Sequence, residues 1–156
     1  MAKLDGIQRR LITALQANAR ATNRQLADLV GLAPSTTLQR VRDLEESGVI
    51  TGYHADVDLV ALGRGVQAMV FVRLSPADGP TVQSFFDTMT EMEETVAVSL
   101  ISGAEDAVVH VAVRDDAQLR SVVLDKISSL DCVADERTSL VFEHRRRPAT
   151  PVLSRQ

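Results

Sequence analysis

Polar side chains that can hydrogen-bond to nucleic-acid bases are concentrated after a proline in the first third of the chain. On a helix that begins at Pro34, these side chains lie on the face opposite the apolar residues or at the edges of that polar face. They are Ser35, Thr36, Gln39, Arg40 and Arg42. Glutamine suits adenine, and arginine suits guanine or a phosphate. This helix face therefore has the chemistry of a DNA-reading surface.

Acidic residues limit how much of this helix can approach DNA. Asp43, Glu45 and Glu46 occupy its second half. We therefore expect only the N-terminal half to enter the groove, as recognition helices do. Arg24, in the preceding helix, completes the predicted DNA-contacting set. Two alternatives stay open: the polar face is merely solvated, or the helices form a module that binds protein instead of DNA.

Three short helices position this face. Leu4, Ile7, Leu11 and Leu15 recur at helical spacing, which predicts a first helix over residues 4–17. The inward residues of the second helix are predicted to be Leu26, Leu29 and Val30, and those of the third are Leu38, Val41 and Leu44.

Capping and turn signals separate the helices. Thr22 followed by Gln25 is a capping box, so the second helix should start directly after Thr22. Gly31 ends it, and Pro34 suits the first turn of a third helix that runs to about Ser47. Three short helices with a tight turn before the last are typical of a helix-turn-helix.

The pattern changes after the third helix. Residues 49–58 alternate as in a strand, which predicts a wing or a linker, and glycines at 63 and 65 mark a boundary. A strand-helix-strand unit then occurs twice, which predicts an α+β, ferredoxin-like βαββαβ sheet with both helices on one face. The predicted strands are residues 66–74, 95–102, 107–114 and 133–143. The other sheet face also carries apolar residues, so we expect it to pack on a second copy.

Composition and charge narrow the classes of function. The chain has 156 residues, 45% of them hydrophobic. No apolar run approaches the roughly 20 residues of a membrane span, so we expect a cytoplasmic protein with no membrane partner. The net charge is -4, but residues 1–56 carry seven Lys and Arg against six Asp and Glu. Such a segment can bind a polyanion if its arginines share a face.

Catalytic and metal chemistry have little support in the sequence. His54, His110 and His144 have no nucleophile or paired carboxylate nearby, and the single cysteine has no partner at metal spacing. We predict no catalytic residue, metal or cofactor, with a small-molecule-binding enzyme subunit as the main alternative. The arginines at 145–147 fit a solvated strand end or, alternatively, steering towards DNA.

Two stretches resemble a known family. "GLAPST" to "RVRDLEESGVITGY" in the first half, and "VSLISGAEDAVVHVAVRD" in the second, are similar to the Lrp/AsnC, or feast/famine, transcriptional regulators. The resemblance implies a winged helix-turn-helix joined by a strand to a βαββαβ sensor domain that dimerises through its sheet. It further implies assembly of homodimers into tetramers to octamers, binding to pseudo-palindromic promoter sites, and modulation by a small-molecule effector, most often an amino acid.

The expected domains are a winged helix-turn-helix with its linking strand at 1–58, a linker at 59–65, an effector-binding and oligomerisation domain at 66–145, and a flexible tail at 146–156.

The chain departs from the family pattern at two places. Ala33 stands where the family usually has serine, so a side-chain cap worth about 1 kcal/mol is lost unless Ser35 or Thr36 replaces it. Gly103 and Asp106 match the sensor motif, whereas its aromatic residues are absent. Asp106 could receive a ligand ammonium or lie in a solvated turn. The effector-binding residues that the resemblance implies are Gly103, Asp106, Thr138 and Ser139.

Overall fold

Two hydrophobic clusters divide the chain into two units. A computed structural model describes residues 4–147 and 149–152. Unit 1 contains Met1–Asp56 together with Arg145–Gln156, and unit 2 is Val57–His144. The polypeptide therefore starts in unit 1, builds unit 2, and returns to unit 1 at its C-terminal end.

Unit 1 is a three-helix domain in the helix-turn-helix arrangement. Capping boxes at Asp5 with Gln8 and at Thr22 with Gln25 start the first two helices, and Gly31 ends the second with a left-handed φ of 74°. The helices are α1 (Gly6–Ala17), α2 (Asn23–Val30) and α3 (Pro34–Glu46). Their apolar faces meet in a core built from Leu11, Leu15, Leu26, Val30, Val41 and Leu44.

Two leucines that the sequence placed in this core lie at the surface instead. Leu29 is 46% exposed and Leu38 is 40% exposed, so both predictions were wrong. Thr37 occupies the inward position of α3 with no exposure, and its hydroxyl donates to the Ala33 carbonyl at 3.1 Å. Because this bond satisfies the hydroxyl, the buried threonine carries no large desolvation penalty. Val41 and Leu44 are buried as predicted, so the buried stripe of α3 differs from the prediction only in its first position.

The predicted strand over residues 49–58 is absent from the structure. Residues 51–58 have no regular secondary structure. A period-two pattern specifies which side chains share a side, but a strand forms only when a second strand accepts its hydrogen bonds. The described part of the chain provides no such partner for these residues.

Unit 2 has the predicted ferredoxin-like architecture. Its strands pair antiparallel in the order β2-β3-β1-β4. The elements are β1 (Val66–Leu74), α4 (Gly79–Glu91), β2 (Thr95–Leu100), β3 (Ala107–Val113), α5 (Asp116–Ser121), a π-helix (Val122–Ile127) and β4 (Val133–Leu140). Three strands end earlier than predicted, at 100, 113 and 140 instead of 102, 114 and 143.

One face of this sheet is covered by the helices. The alternate residues Val70 and Val72 of β1, and Val109 and Val111 of β3, have no exposure. They pack with buried side chains of α4 and the π-helix, which are Phe85, Met89, Val122, Val123 and Ile127. This layer fixes the ends of the strands and the turns that join them.

The C-terminal segment packs on unit 1. The Thr150 N–H donates to the Gln16 side-chain oxygen, and Val152 packs against the core of the three helices. The flexible tail expected over residues 146–156 stays a prediction. Residue 148 and residues 153–156 of that tail lie outside the described residues.

Candidate DNA-binding surface and effector region

The outward face of α3 is open to solvent in its first half. Ser35, Thr36, Gln39 and Arg42 are exposed, and so is Arg24 on α2. The opposite face of α3 is buried in the core of unit 1. The structure therefore brings five of the six predicted DNA-contacting residues to accessible positions within one small domain.

Acidic residues of α3 have partners within unit 1. Gln39 Nε2 donates to Asp43 Oδ1 at 2.8 Å, one helical turn further on. The Tyr53 hydroxyl donates to Glu45 at 2.8 Å, and burial together with this carboxylate raises the pKa of Tyr53 to about 12. The phenol therefore stays protonated at physiological pH and remains a donor. Both donors are neutral, so the two carboxylates keep their negative charge and the C-terminal half of the helix still repels DNA.

Arg40 differs from the other predicted contacts because it is already paired. Its guanidinium bonds to Asp5, and the two side chains are 34% and 46% exposed. Asp5 also caps α1, and the Gln8 backbone N–H is the largest cause of its lowered pKa, with Arg40 adding to the effect. The pair therefore joins the middle of α3 to the start of α1. Sequence reasoning missed both this ion pair and the cap at Asp5. The cap has a sequence signal, because Asp5 and Gln8 have the same capping-box spacing as Thr22 and Gln25.

The first turn of α3 has no side-chain cap of its own and is hydrogen-bonded to a side chain of α2. Ala33 provides no side-chain cap, and neither Ser35 nor Thr36 replaces it. Instead, Asn23 Nδ2 donates to the Pro34 carbonyl oxygen at 2.7 Å. A long-range bond between a side chain and a carbonyl has no sequence spacing that would predict it. It links the first turns of α2 and α3, which sets the position of the reading face.

The turn between β2 and β3 contains Gly103 and Asp106. Gly103 is exposed with a φ of 149°, a conformation that side-chain-bearing residues rarely adopt. Asp106 Oδ2 accepts the Leu74 N–H at 2.8 Å, and the Asp106 N–H donates to the Val72 carbonyl at 2.9 Å. Asp106 is therefore a structural link between this turn and the end of β1, in addition to any role with a ligand.

Thr138 and Ser139 point to opposite faces of the sheet. Thr138 lies level with Val70 and lines a shallow cleft against the helices, with Leu119 and Val123. Ser139 lies level with Met69 on the other face. Successive strand residues alternate between faces, so the two side chains cannot contact the same small molecule from one strand. Within one chain, the four predicted effector residues are not brought together.

A charged patch that the sequence did not reveal lies beside the turn that holds Gly103. Arg137 bonds to Glu105 at 3.1 Å and stacks 4.6 Å above the Phe71 ring, and Arg73 pairs with Asp135 at 3.2 Å. These five residues line a small cleft of about 140 Å³. The pairing depends on the register of β1 with β4, which no sequence motif encodes. The cleft offers both a cation and an anion next to an aromatic face.

The second sheet face is only partly free. His110 and Ala112 of β3, which the alternation pattern placed on this face, are already buried within the chain. His110 bonds to Gln67 at 3.0 Å and its ring lies 5.7 Å from that of His144. Burial and the neighbouring His144 lower the pKa of His110. Phe142, two residues after the end of β4, is 97% exposed.

Family models match both units. Residues 4–51 match the winged helix-turn-helix DNA-binding model, and residues 67–149 match the Lrp/AsnC ligand binding domain. The chain belongs to the Lrp/AsnC family. This regulator is 41% identical over 148 residues to the HTH-type transcriptional regulator AldR of Mycobacterium tuberculosis, covering 95% of this chain and 83% of the relative. It is thus a DNA-binding transcriptional regulator.

Solved structures agree with this assignment. The crystal structure of M. tuberculosis AldR has a TM-score of 0.76 and 36% identity, covering 95% of this chain and all of that one. A transcriptional regulator of Neisseria meningitidis in complex with L-Met has a TM-score of 0.86 and 25% identity, covering 97% of both chains. In the described part of this regulator, no helix is long and apolar enough to cross a membrane, and no three His, Cys, Asp or Glu side chains form a metal site.

Proposed function

We propose that α3 enters the major groove of DNA with its N-terminal half. The observation that carries this proposal is the contrast between its two faces: Thr37 and Val41 are buried, whereas Ser35, Thr36 and Gln39 are exposed. The uncapped first turn leaves backbone N–H groups that can donate to a phosphate. The exposed guanidinium groups of Arg24 and Arg42 add phosphate contacts, and Arg40 contacts a guanine when it leaves Asp5.

We infer that two copies pair through unit 2. Met69, Phe71 and Val108 are half-buried on the second sheet face, and the 97% exposure of Phe142 is unusual for so large an apolar side chain. Two readers related by a two-fold axis contact half-sites about 34–36 Å apart, which explains a pseudo-palindromic target. Association of these dimers into tetramers to octamers is proposed from the family alone.

We further propose that unit 2 binds an amino acid that adjusts DNA binding. An amino acid carries an ammonium and a carboxylate, and the cleft beside Phe71 presents Glu105 and Asp135 for the first and Arg73 and Arg137 for the second. The bound L-Met of the Neisseria regulator supports this class of ligand. Gly103, Asp106, Thr138 and Ser139 join the site in this proposal, with a second copy supplying the residues that one chain keeps apart.

Selection of bound duplexes from a random pool tests the DNA-reading role. We expect a two-fold symmetric consensus whose half-sites are about one helical turn apart. Gln39→Ala should relax base preference within each half-site. Gln83→Ala is a matched control, because Gln83 makes the same bond to Asp87 at 2.8 Å, four residues along α4 in unit 2. A pool with no enriched sequence would contradict the proposal.

Calorimetric titration with each common L-amino acid tests the sensor. We expect at least one to bind, and Arg137→Gln to weaken that binding, because the carboxylate loses its cation. Arg114→Gln removes an equal charge from an exposed position of unit 2 and serves as the control. Equal affinities for the wild type and the Arg137 variant would remove this cleft from the effector site.

A further inference from the structure

The C-terminal segment changes the charge of the DNA-binding unit. Residues 4–56 carry six arginines and six carboxylates, so their net charge is zero. Residues 145–147 belong to the same unit and add three arginines with no acid. Unit 2 has six Lys and Arg against fifteen Asp and Glu, a net charge of -9. With Lys3 included, residues 1–56 carry a net charge of only +1, so most of the net positive charge of unit 1 comes from the end of the chain.

Contacts within unit 1 hold this segment against α1. Val152 packs on the core and the Thr150 N–H bonds to Gln16. Arg147 then lines one cleft with two arginines of α1, Arg9 and Arg10, whose guanidinium groups donate to the carbonyls of Leu4 and Leu29. Arg146 is exposed and lines a neighbouring cleft. The segment is thus docked on unit 1, and its arginines are exposed at its surface.

Three like charges line one cleft, which makes it a favourable place for an anion. The cleft has a volume of about 690 Å³. Its described lining residues, from Arg9 to Val152, contain three arginines and no carboxylate. Guanidinium groups within a Debye length of about 8 Å repel one another, and an anion near them removes that repulsion. In a DNA-binding unit, the anion at hand is the phosphate backbone, which arginine binds as a two-pronged donor.

We propose that Arg146 and Arg147 contact duplex phosphates, so that the C-terminal segment is a second DNA-binding element of unit 1, in addition to α3. The element reads no bases and contributes affinity to any sequence. It depends on the DNA-binding role of unit 1, but not on the reading of bases by α3.

Salt titration of DNA affinity with R146Q/R147Q in the full chain tests this assignment. The probe is a fluorescent random-sequence duplex followed by anisotropy. Each phosphate contact contributes about 0.9 to the slope of log affinity against log salt, so the double variant should lose about 1.8 from that slope. Between about 50 and 200 mM salt, the affinity of the wild type should then fall about 12-fold more than that of the variant.

Two controls separate the possible causes. R114Q/R120Q removes the same charge from unit 2 and should keep the wild-type slope, whereas R146K/R147K retains both cations and should keep it as well. An unchanged slope in R146Q/R147Q, with wild-type thermal melting, would overturn the proposal. So would an equal loss in R114Q/R120Q, since net charge alone would then explain it. If α3 does not read bases, the wild type will not prefer any selected duplex, yet the slope difference will persist.

Discussion

Replacing Arg40 with alanine distinguishes an arginine that contacts DNA from one that only supports the fold. Its guanidinium pairs with Asp5 on a partly exposed surface, and such pairs contribute about 0.2–1 kcal/mol. Arg40→Ala should therefore lower the free energy of unfolding by at most about 1 kcal/mol. A lost contact to a guanine costs about 1–3 kcal/mol and relaxes the base preference. We expect the loss in DNA affinity to exceed the loss in stability.

Asp5→Asn is the informative companion variant. Asparagine caps a helix as well as aspartate does, so α1 keeps its start while the ion pair is lost. The stability loss should match that of Arg40→Ala. The DNA affinity should stay equal or rise, because Arg40 is released and a negative charge is removed. Denaturant unfolding and anisotropy with a selected duplex measure the two quantities.

The two variants thus have opposite expected effects on DNA binding. If both weaken it by the same factor, Arg40 acts only by joining α3 to α1, and its place in the DNA-contacting set is wrong. Unchanged affinity and base preference in Arg40→Ala would likewise remove Arg40 from the DNA-contacting set. The pKa of Asp5 is lowered in the folded state, so its stabilisation is present above its unfolded value of about 3.9 and is lost as the pH falls through the folded value. Asp5→Asn should lack this acid-dependent loss.

Three further predictions concern the two cores and the sensor. Asp106→Ala should weaken amino-acid titration while sedimentation still detects dimers; an unaltered titration would remove Asp106 from the effector site. Burial is the largest single influence on the pKa of Glu94 and raises it, but the hydrogen bonds from Lys126, the Glu94 backbone and Gln118, together with the charge of Lys126, lower it by more in sum. Its stabilisation is therefore present above its unfolded pKa and is lost as the pH falls through the folded pKa. Glu94→Gln should flatten that acid limb in thermal melting, and an unchanged limb would contradict the pairing. Leu11→Ala should cost about 2–5 kcal/mol in denaturant unfolding, because Leu11 has no exposure; a loss well below this would contradict its burial.

Sequence reasoning succeeded where a local signal specifies a local structure. Thr22 and Gln25 predicted the start of α2, Gly31 its end and Pro34 the first turn of α3. The repeated strand-helix-strand pattern predicted the architecture of unit 2, because buried strands such as β1 must alternate with the helices that cover them. These signals depend only on neighbours in the chain.

Features that depend on long-range contacts could not be predicted, because no local signal specifies them. Leu38 is apolar and Thr37 is polar, so the sequence favoured Leu38 as the buried residue. The packing of the three helices buries Thr37 instead. The bond from Asn23 to the Pro34 carbonyl joins atoms with no characteristic spacing. Which sheet face Thr138 takes depends on the register of β4 against β1, whereas its placement opposite Ser139 follows from strand alternation alone. The residues of the candidate sites were therefore easier to name than their arrangement.

The return of the chain to unit 1 has a consequence for biosynthesis. A ribosome completes the helix-turn-helix first, then all of the sensor, and only then the arginines at 145–147. A nascent chain that has released residues 1–56 carries the complete α3 with seven Lys and Arg against six Asp and Glu, a net charge of only +1. The three arginines at 145–147, which add to this small charge, are therefore synthesised last, after all of unit 2.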